Sequence, residues 1–212
     1  MPFKYACFIS YCHGKEDLVR TFIEELQKAL KRHLDAYLDE EVYIDEERLR
    51  GGDLYNEKLA EAICQSVCMI VVYMPKYERH PYCLREYAAM EELEEKRLRG
   101  IEPVDPKRGL IIPIVFRGGD NLPPAIKSRR QYYDFSHFTL VSPTISDNPL
   151  YADKIEEIAR TIYEFYRMFE ATSEDPCGDC SSYTLPAAEH LKPWRGSAKA
   201  PLAPFPGRSE GR

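Results

Sequence analysis

The sequence predicts an α/β domain whose doubly wound parallel sheet of about five strands is covered by helices on both faces. Three observations predict it. Short, nearly continuous apolar runs at 5–11 (YACFISY), 69–73 (MIVVY) and 110–116 (LIIPIVF) suit strands buried on both faces. Between them lie longer segments whose apolar residues recur every three to four positions, the period of an amphipathic helix. Strand and helix patterns alternate along the chain, and right-handed crossovers then make the sheet parallel.

The run at 5–11 has so little polar character that it reads as a central strand. A loop with Gly14 follows. Over 16–34, Leu18, Val19, Phe22, Ile23, Leu26, Leu30 and Leu34 mark a helix, and Glu16 and Asp17 suit the positive end of its dipole. A short second strand is expected at 42–45, then a turn at 48–53 (RLRGGD), then a helix over 54–65 with Tyr55, Leu59, Ala62 and Ile63 inward. Pro75 helps to close the third strand, because it cannot donate to a ladder. Pro81 opens the next helix, where its missing N–H costs nothing, and Gly100 ends it. Pro113 inside the fourth strand predicts an edge position or a bulge. A short fifth strand is expected within 132–138, and a last amphipathic helix over 150–169 carries Ile155, Ile158, Ala159, Ile162, Phe165, Tyr166 and Phe169 on one face. The folded domain is expected at 1–170. Residues 171–212, rich in Pro, Ala, Gly and Ser without periodicity, read as a flexible tail.

Composition narrows the function classes. A net charge of −6 argues against a nucleic-acid binder, which needs a basic face. No apolar run reaches the length needed to cross a bilayer, and the N-terminal segment reads as a strand, not a signal peptide. A cytoplasmic protein is expected, so the seven cysteines read as reduced thiols, with Cys7, Cys64 and Cys68 as small core residues. Cys177 and Cys180 have metal-ligand spacing, but no second pair follows, and no metal is expected.

In a sheet of this class ligands bind beyond the carboxyl ends of the strands. Three loops gather there: 10–15, 45–53 and 74–82. Behind the third, Tyr82, Glu86, Ala89, Met90 and Leu93 share one helix face, which makes Glu86 the single charge on a face that should look inward. A carboxylate so placed is either ion-paired, for example with Arg50 or Arg85, or catalytic. Ser10, Tyr11 and His13 from the first loop, Asp45, Arg50 and Gly51 from the second, and Tyr82 and Cys83 from the third are the candidate ligand contacts. Tyr11 and Tyr82 suit packing on a flat ring or simple core packing. Arg50 and the amides of Gly51 and Gly52 can meet an anion, or the glycines simply permit a tight turn. Cys83 reads as packing, since no base is evident for it.

These loops, in order, resemble the three boxes of the TIR (Toll/interleukin-1 receptor) domain family: Phe8-Ile9-Ser10-Tyr11 with His13 and Asp17; the turn from Asp45 to Arg50-Gly51-Gly52-Asp53, with Gly51 where proline is common; and the segment from Tyr77 to Glu86, where the family often has Trp-Cys-x-x-Glu and this chain has Tyr82-Cys83-Leu84-Arg85-Glu86. The resemblance covers roughly residues 3–170, the length of one domain. It implies a flavodoxin-like TIR fold. Some members of the family are scaffolds that signal by self-association; others cleave NAD⁺ at the nicotinamide–ribose bond with the glutamate that Glu86 matches. The resemblance therefore implies an NAD⁺ glycohydrolase or ADP-ribosyl cyclase, with NAD⁺ as substrate and no resident cofactor. It further implies self-association through the second loop, residues 48–54, and likeness to stand-alone bacterial (Thoeris-like) anti-phage enzymes whose product activates a separate effector. A non-catalytic TIR scaffold is the alternative. A nucleoside deoxyribosyltransferase also uses a glutamate on a similar fold, but the first box and the spacing of the second favour TIR.

Overall fold

The computed structural model describes residues 3–13, 17–44, 53–99, 107–138, 148–171, 178–191 and 194–195. Five parallel strands form one sheet in the order β2-β1-β3-β4-β5. They are β1 (Tyr5–Tyr11), β2 (Glu41–Ile44), β3 (Ser66–Tyr73), β4 (Ile111–Val115) and β5 (Tyr133–Asp134). This is the flavodoxin-like order, and the direction of winding switches between β1 and β3. Every residue of β3 is buried, as its unbroken apolar run requires.

The helices are α1 (Asp17–Leu34), α2 (Asp53–Cys64), α3 (Pro81–Arg97), the single turn α4 (Pro124–Lys127) and α5 (Pro149–Glu170). α1 packs on α5 over one face of the sheet and α2 on α3 over the other, as right-handed crossovers demand. Asn148 caps α5, its side chain accepting from Leu150 N at 3.0 Å, and Pro149 takes the first helical position.

The expected apolar faces hold with two exceptions. Leu18 is 51% exposed and Tyr82 36%, whereas the remaining α1 positions from Phe22 onward are buried. On α3 the buried stripe is Cys83, Glu86, Tyr87, Ala89, Met90, Leu93 and Arg97, which turns the helix so that Cys83 and Tyr87 point inward in place of Tyr82.

Pro113 does not lie on an edge strand, because β5 pairs outside β4. Leu110 O accepts from Met69 N, and Phe116 N donates to Tyr73 O, so even-numbered residues of β4 face β3 and odd-numbered ones face β5. The β5 pairing begins only at Ile114, so the missing N–H of Pro113 breaks no ladder bond. After β4 the chain turns at Gly118 with φ +80, where a Cβ would stand 2.8 Å from Pro75 Cγ.

Two buried arginines tie elements together. Arg97 donates to Ser66 O at 2.9 Å and Cys64 O at 2.5 Å, satisfying carbonyls at the end of α2 and the start of β3. Arg130 Nη1 lies 2.5 Å and 2.7 Å from the two carboxylate oxygens of Glu94, and Nε contacts the Tyr87 hydroxyl at 3.4 Å.

The described part of 171–212 differs from a flexible tail. Cys180 forms a disulfide with Cys64 at the end of α2. Two of the cysteines expected as reduced thiols are therefore paired, whereas Cys7, Cys12, Cys68 and Cys83 are buried and take no part in this bridge. From there the segment runs along α3 toward its start: the Tyr183 hydroxyl donates to Ala89 O at 3.1 Å, Leu185 is buried, and Arg85 Nε donates to Pro186 O at 2.8 Å. At its end Trp194 packs on Tyr73, Tyr77 and Tyr87. Isolated apolar residues carry this packing, so no periodicity announces it. Among the described residues, no helix is long and apolar enough to cross a membrane.

Candidate active site

β1 and β3 end side by side, with Ser10 paired to Val71 and Tyr11 to Val72. The chain leaves β3 at Met74, makes a 3-10 turn at Tyr77–Arg79 and enters α3 at Pro81. His80 holds an extended conformation at the N-cap, as a residue before proline prefers. This path brings the start of α3 over the carboxyl end of β1.

There Ser10, Tyr77 and Glu86 meet. Ser10 Oγ donates to Glu86 Oε2 at 2.5 Å and lies 2.6 Å from the Tyr77 hydroxyl. The Tyr77 hydroxyl also stands 3.2 Å from Cys83 O. Ser10 is 1% exposed and Tyr77 and Glu86 are 0% exposed, so the contacts are made among protein groups. Burial disfavours the ionised form that a catalytic carboxylate needs, and in this single chain Glu86 is fully covered. Of the two ion-pair partners that the sequence offers Glu86, Arg50 lies outside the described residues, and Arg85 turns to Pro186 O and to the Tyr82 ring, 5.9 Å away.

The other candidate contacts divide into four groups. Tyr11 is buried and stacks on exposed His13, ring centroids 4.4 Å apart and planes 27° apart, at the mouth of the first loop. Cys83 is buried, its Sγ 3.5 Å from Tyr11 O and 3.5 Å from His80 Nδ1. A base does therefore stand beside the thiol, contrary to the sequence reading, though the thiol itself faces no solvent. Tyr82 lies on the surface. Asp45, Arg50 and Gly51 fall outside the described residues.

Sequence reasoning missed Tyr77, His80 and Trp194. Tyr77 sits in a loop between two prolines, and no role in the site was assigned to it. Its signal was a large aromatic residue nine positions before the carboxylate. Trp194 is the chain's single tryptophan, and that was its signal. Beside it Arg195 pairs with Glu78 through Nε–Oε2 at 2.5 Å and Nη2–Oε1 at 2.8 Å. Burial pushes the Glu78 carboxyl up, but donors from Arg195 and Tyr73 outweigh it and hold the group below its usual range. Burial, and then Glu78, push the Tyr73 hydroxyl up to about 12. A groove of about 800 Å³ lies elsewhere, between α3, the Pro124–Lys127 turn and the C-terminal segment, and touches none of Ser10, Tyr77 and Glu86.

The chain is 26% identical over 185 residues to Disease resistance-like protein CSA1 of Arabidopsis thaliana, a match that covers 83% of the chain but 14% of that protein's length. Among solved structures it is similar to the TIR domain of the Toll-related receptor TRR-2 of Hydra magnipapillata, at 18% identity and TM-score 0.45, covering 74% of this chain and 98% of that one. It is also similar to the TIR domains of the activated Roq1 resistosome directly recognising the pathogen effector XopQ, at 19% identity and TM-score 0.38, covering 82% and 92%. The family model for the TIR domain matches residues 7–142, more than half of the chain and all three boxes, and the chain therefore belongs to the TIR domain family.

Proposed function

We propose that this protein cleaves the nicotinamide–ribose bond of NAD⁺, with Glu86 as the catalytic carboxylate. The observation that carries the reading is the Ser10–Glu86 hydrogen bond at the carboxyl end of β1, the edge of the sheet where such folds bind ligands. The bond between C1′ of the ribose and N1 of the nicotinamide breaks with its electron pair leaving on N1. Nicotinamide departs neutral and needs no proton, and the ribose is left as an oxocarbenium ion. An ionised carboxylate beside the ribose hydroxyls stabilises that charge. Water then captures C1′ and loses a proton to give ADP-ribose, or a ring nitrogen of the same adenine attacks to give a cyclic isomer. Tyr11, His13, Tyr82 and Cys83, with Asp45, Arg50 and Gly51 of the second loop, would frame the substrate. Self-association through residues 48–54 would complete a site that is closed in the single chain. The nucleotide product would serve as a signal to a separate effector in antiviral defence, in the cytoplasm.

A second reading rests on the complete burial of Glu86. A carboxylate satisfied by Ser10 is also a structural brace, and the chain would then be a scaffold acting by TIR–TIR association. Incubation with NAD⁺ separates the two. Nicotinamide released by the wild type and not by Glu86→Ala supports the enzyme, and the mass of the nucleotide product divides hydrolysis from cyclisation. Absence of nicotinamide from both, even under forced assembly, supports the scaffold.

A further inference from the structure

We infer that Tyr77 is a positioning residue that acts on Glu86 through Ser10, forming a hydroxyl relay whose direction follows the charge of the carboxylate. The inference rests on Glu86 as the working carboxylate of the proposed site.

Proton counting gives the relay. An ionised carboxylate only accepts, so the Ser10 proton must point to Glu86 Oε2 across 2.5 Å. The Ser10 oxygen then takes the Tyr77 proton across 2.6 Å. Tyr77 has one proton, and the contact to Cys83 O at 3.2 Å then carries none of it. If Glu86 is protonated on Oε2, the two bonds at Ser10 reverse and a third forms. The carboxyl donates to Ser10, Ser10 donates to Tyr77, and Tyr77 donates to Cys83 O. The same heavy atoms serve both charge states without moving. Each bond polarises the next, so the phenol proton strengthens the Ser10 donor when Glu86 is charged. The relay is fully buried, and in a low-dielectric surrounding a hydroxyl dipole two bonds away still acts on the charge.

Tyr77 is itself held. Trp194 stacks on its ring with centroids 5.2 Å apart, and its 3-10 turn is pinned by the Glu78–Arg195 pair. Other ionisable groups surround the start of α3. Tyr11, Cys12 and His13 come from the end of β1 and the loop after it, Tyr73 from β3 and Glu78 from the turn. His80 caps α3, Cys83 and Arg85 come from α3 itself, and α2, which packs on α3, carries Glu57, Lys58 and Glu61, while β4 carries none. The experiment below compares variants within this constant background.

The test reads Glu86 directly and needs no turnover. The side-chain carboxyl carbon of Glu86, labelled with ¹³C and assigned by its loss in Glu86→Gln, is titrated by NMR in the wild type, Tyr77→Phe and Ser10→Ala. The expected midpoints rise in that order, by about half a pH unit for Tyr77→Phe and about one unit or more for Ser10→Ala. If Tyr77→Phe fails to fold, 3-fluorotyrosine at position 77 keeps the shape and strengthens the donor, and the midpoint is expected to fall. A midpoint that shifts for Ser10→Ala but not for either change at Tyr77 overturns the relay and leaves Tyr77 a packing residue. A midpoint unmoved by any of them overturns it entirely. Nicotinamide release measured on the same samples keeps this outcome apart from the fate of the proposed function. Shifts with no turnover even under forced assembly leave the relay standing and remove the enzyme, and turnover without shifts does the reverse.

Discussion

Trp194 lies against Tyr77 with ring planes 27° apart, so a residue from the C-terminal segment backs the tyrosine that touches Ser10. Tyr87 meets the same indole edge-on at 4.6 Å. The contact buries most of a large apolar side chain, and its loss exposes three tyrosine rings. Trp194→Ala is expected to lower stability by about 2 kcal/mol in chemical denaturation followed by circular dichroism. A change below a few tenths would mean that the segment does not pack on the domain in solution.

Acid should release this segment before the domain unfolds. The Glu78 carboxyl is held below its usual value in the folded protein, so its contribution is present above the unfolded carboxylate range, near 4.5, and is lost as pH falls through the lower folded value. Trp194 is the single tryptophan and reports the event by fluorescence. A red shift of its emission below about pH 4 is expected, ahead of the loss of far-ultraviolet circular dichroism. In Glu78→Gln the emission should no longer respond in that window. A wild-type emission that moves only together with global unfolding would contradict the assignment.

The Cys64–Cys180 bridge closes a loop across 116 residues. Such a loop constrains the unfolded chain by about 5 kcal/mol in the chain-entropy view. Protein prepared without reductant is expected to show two fewer titratable thiols in denaturant than after reduction, and Cys180→Ser is expected to unfold at lower denaturant. Equal thiol counts would show that the two sulfurs stay reduced, as the sequence reading expects of a cytoplasmic protein.

Arg130 is 8% exposed, and its partner Glu94 also accepts from Ile111 N at 3.3 Å. Gly109 stands so close that a Cβ would meet Glu94 Oε2 at 2.4 Å and Arg130 Nη1 at 2.7 Å. Removing one partner strands the other charge, and Arg130→Ala is expected to cost about 3 kcal/mol. Gly109→Ala should also destabilise by forcing the pair apart. A thermal melt in which both variants match the wild type would refute the pairing.

The fold was legible because each buried strand and each amphipathic helix is written locally. β3 is one unbroken apolar run, and α1 repeats its apolar residues at the helical period. Glu86 was legible for the same reason, since a lone charge on an inward face stands out. What escaped depends on contacts between distant positions. Ser10 and Tyr77 are 67 residues apart, and Cys64 and Cys180 are 116 apart, so nothing in their neighbours signals the meeting. Tyr82 was misplaced because one helical position turns a side chain by about 100°, enough to move it from core to surface. Pro113 was misread as an edge or bulge residue because sequence does not show that its nitrogen faces the side of β4 where β5 has not yet begun to pair.

The most direct test of the central claim is nicotinamide release from NAD⁺ as a function of protein concentration, for the wild type and Glu86→Gln, each free and fused to an oligomerising scaffold. The account predicts release that rises more steeply than linearly for the free wild type, is highest for its fusion, and is absent from both Glu86→Gln proteins. A folded wild-type fusion that releases no nicotinamide, or a Glu86→Gln fusion that releases as much as the wild type, would contradict it.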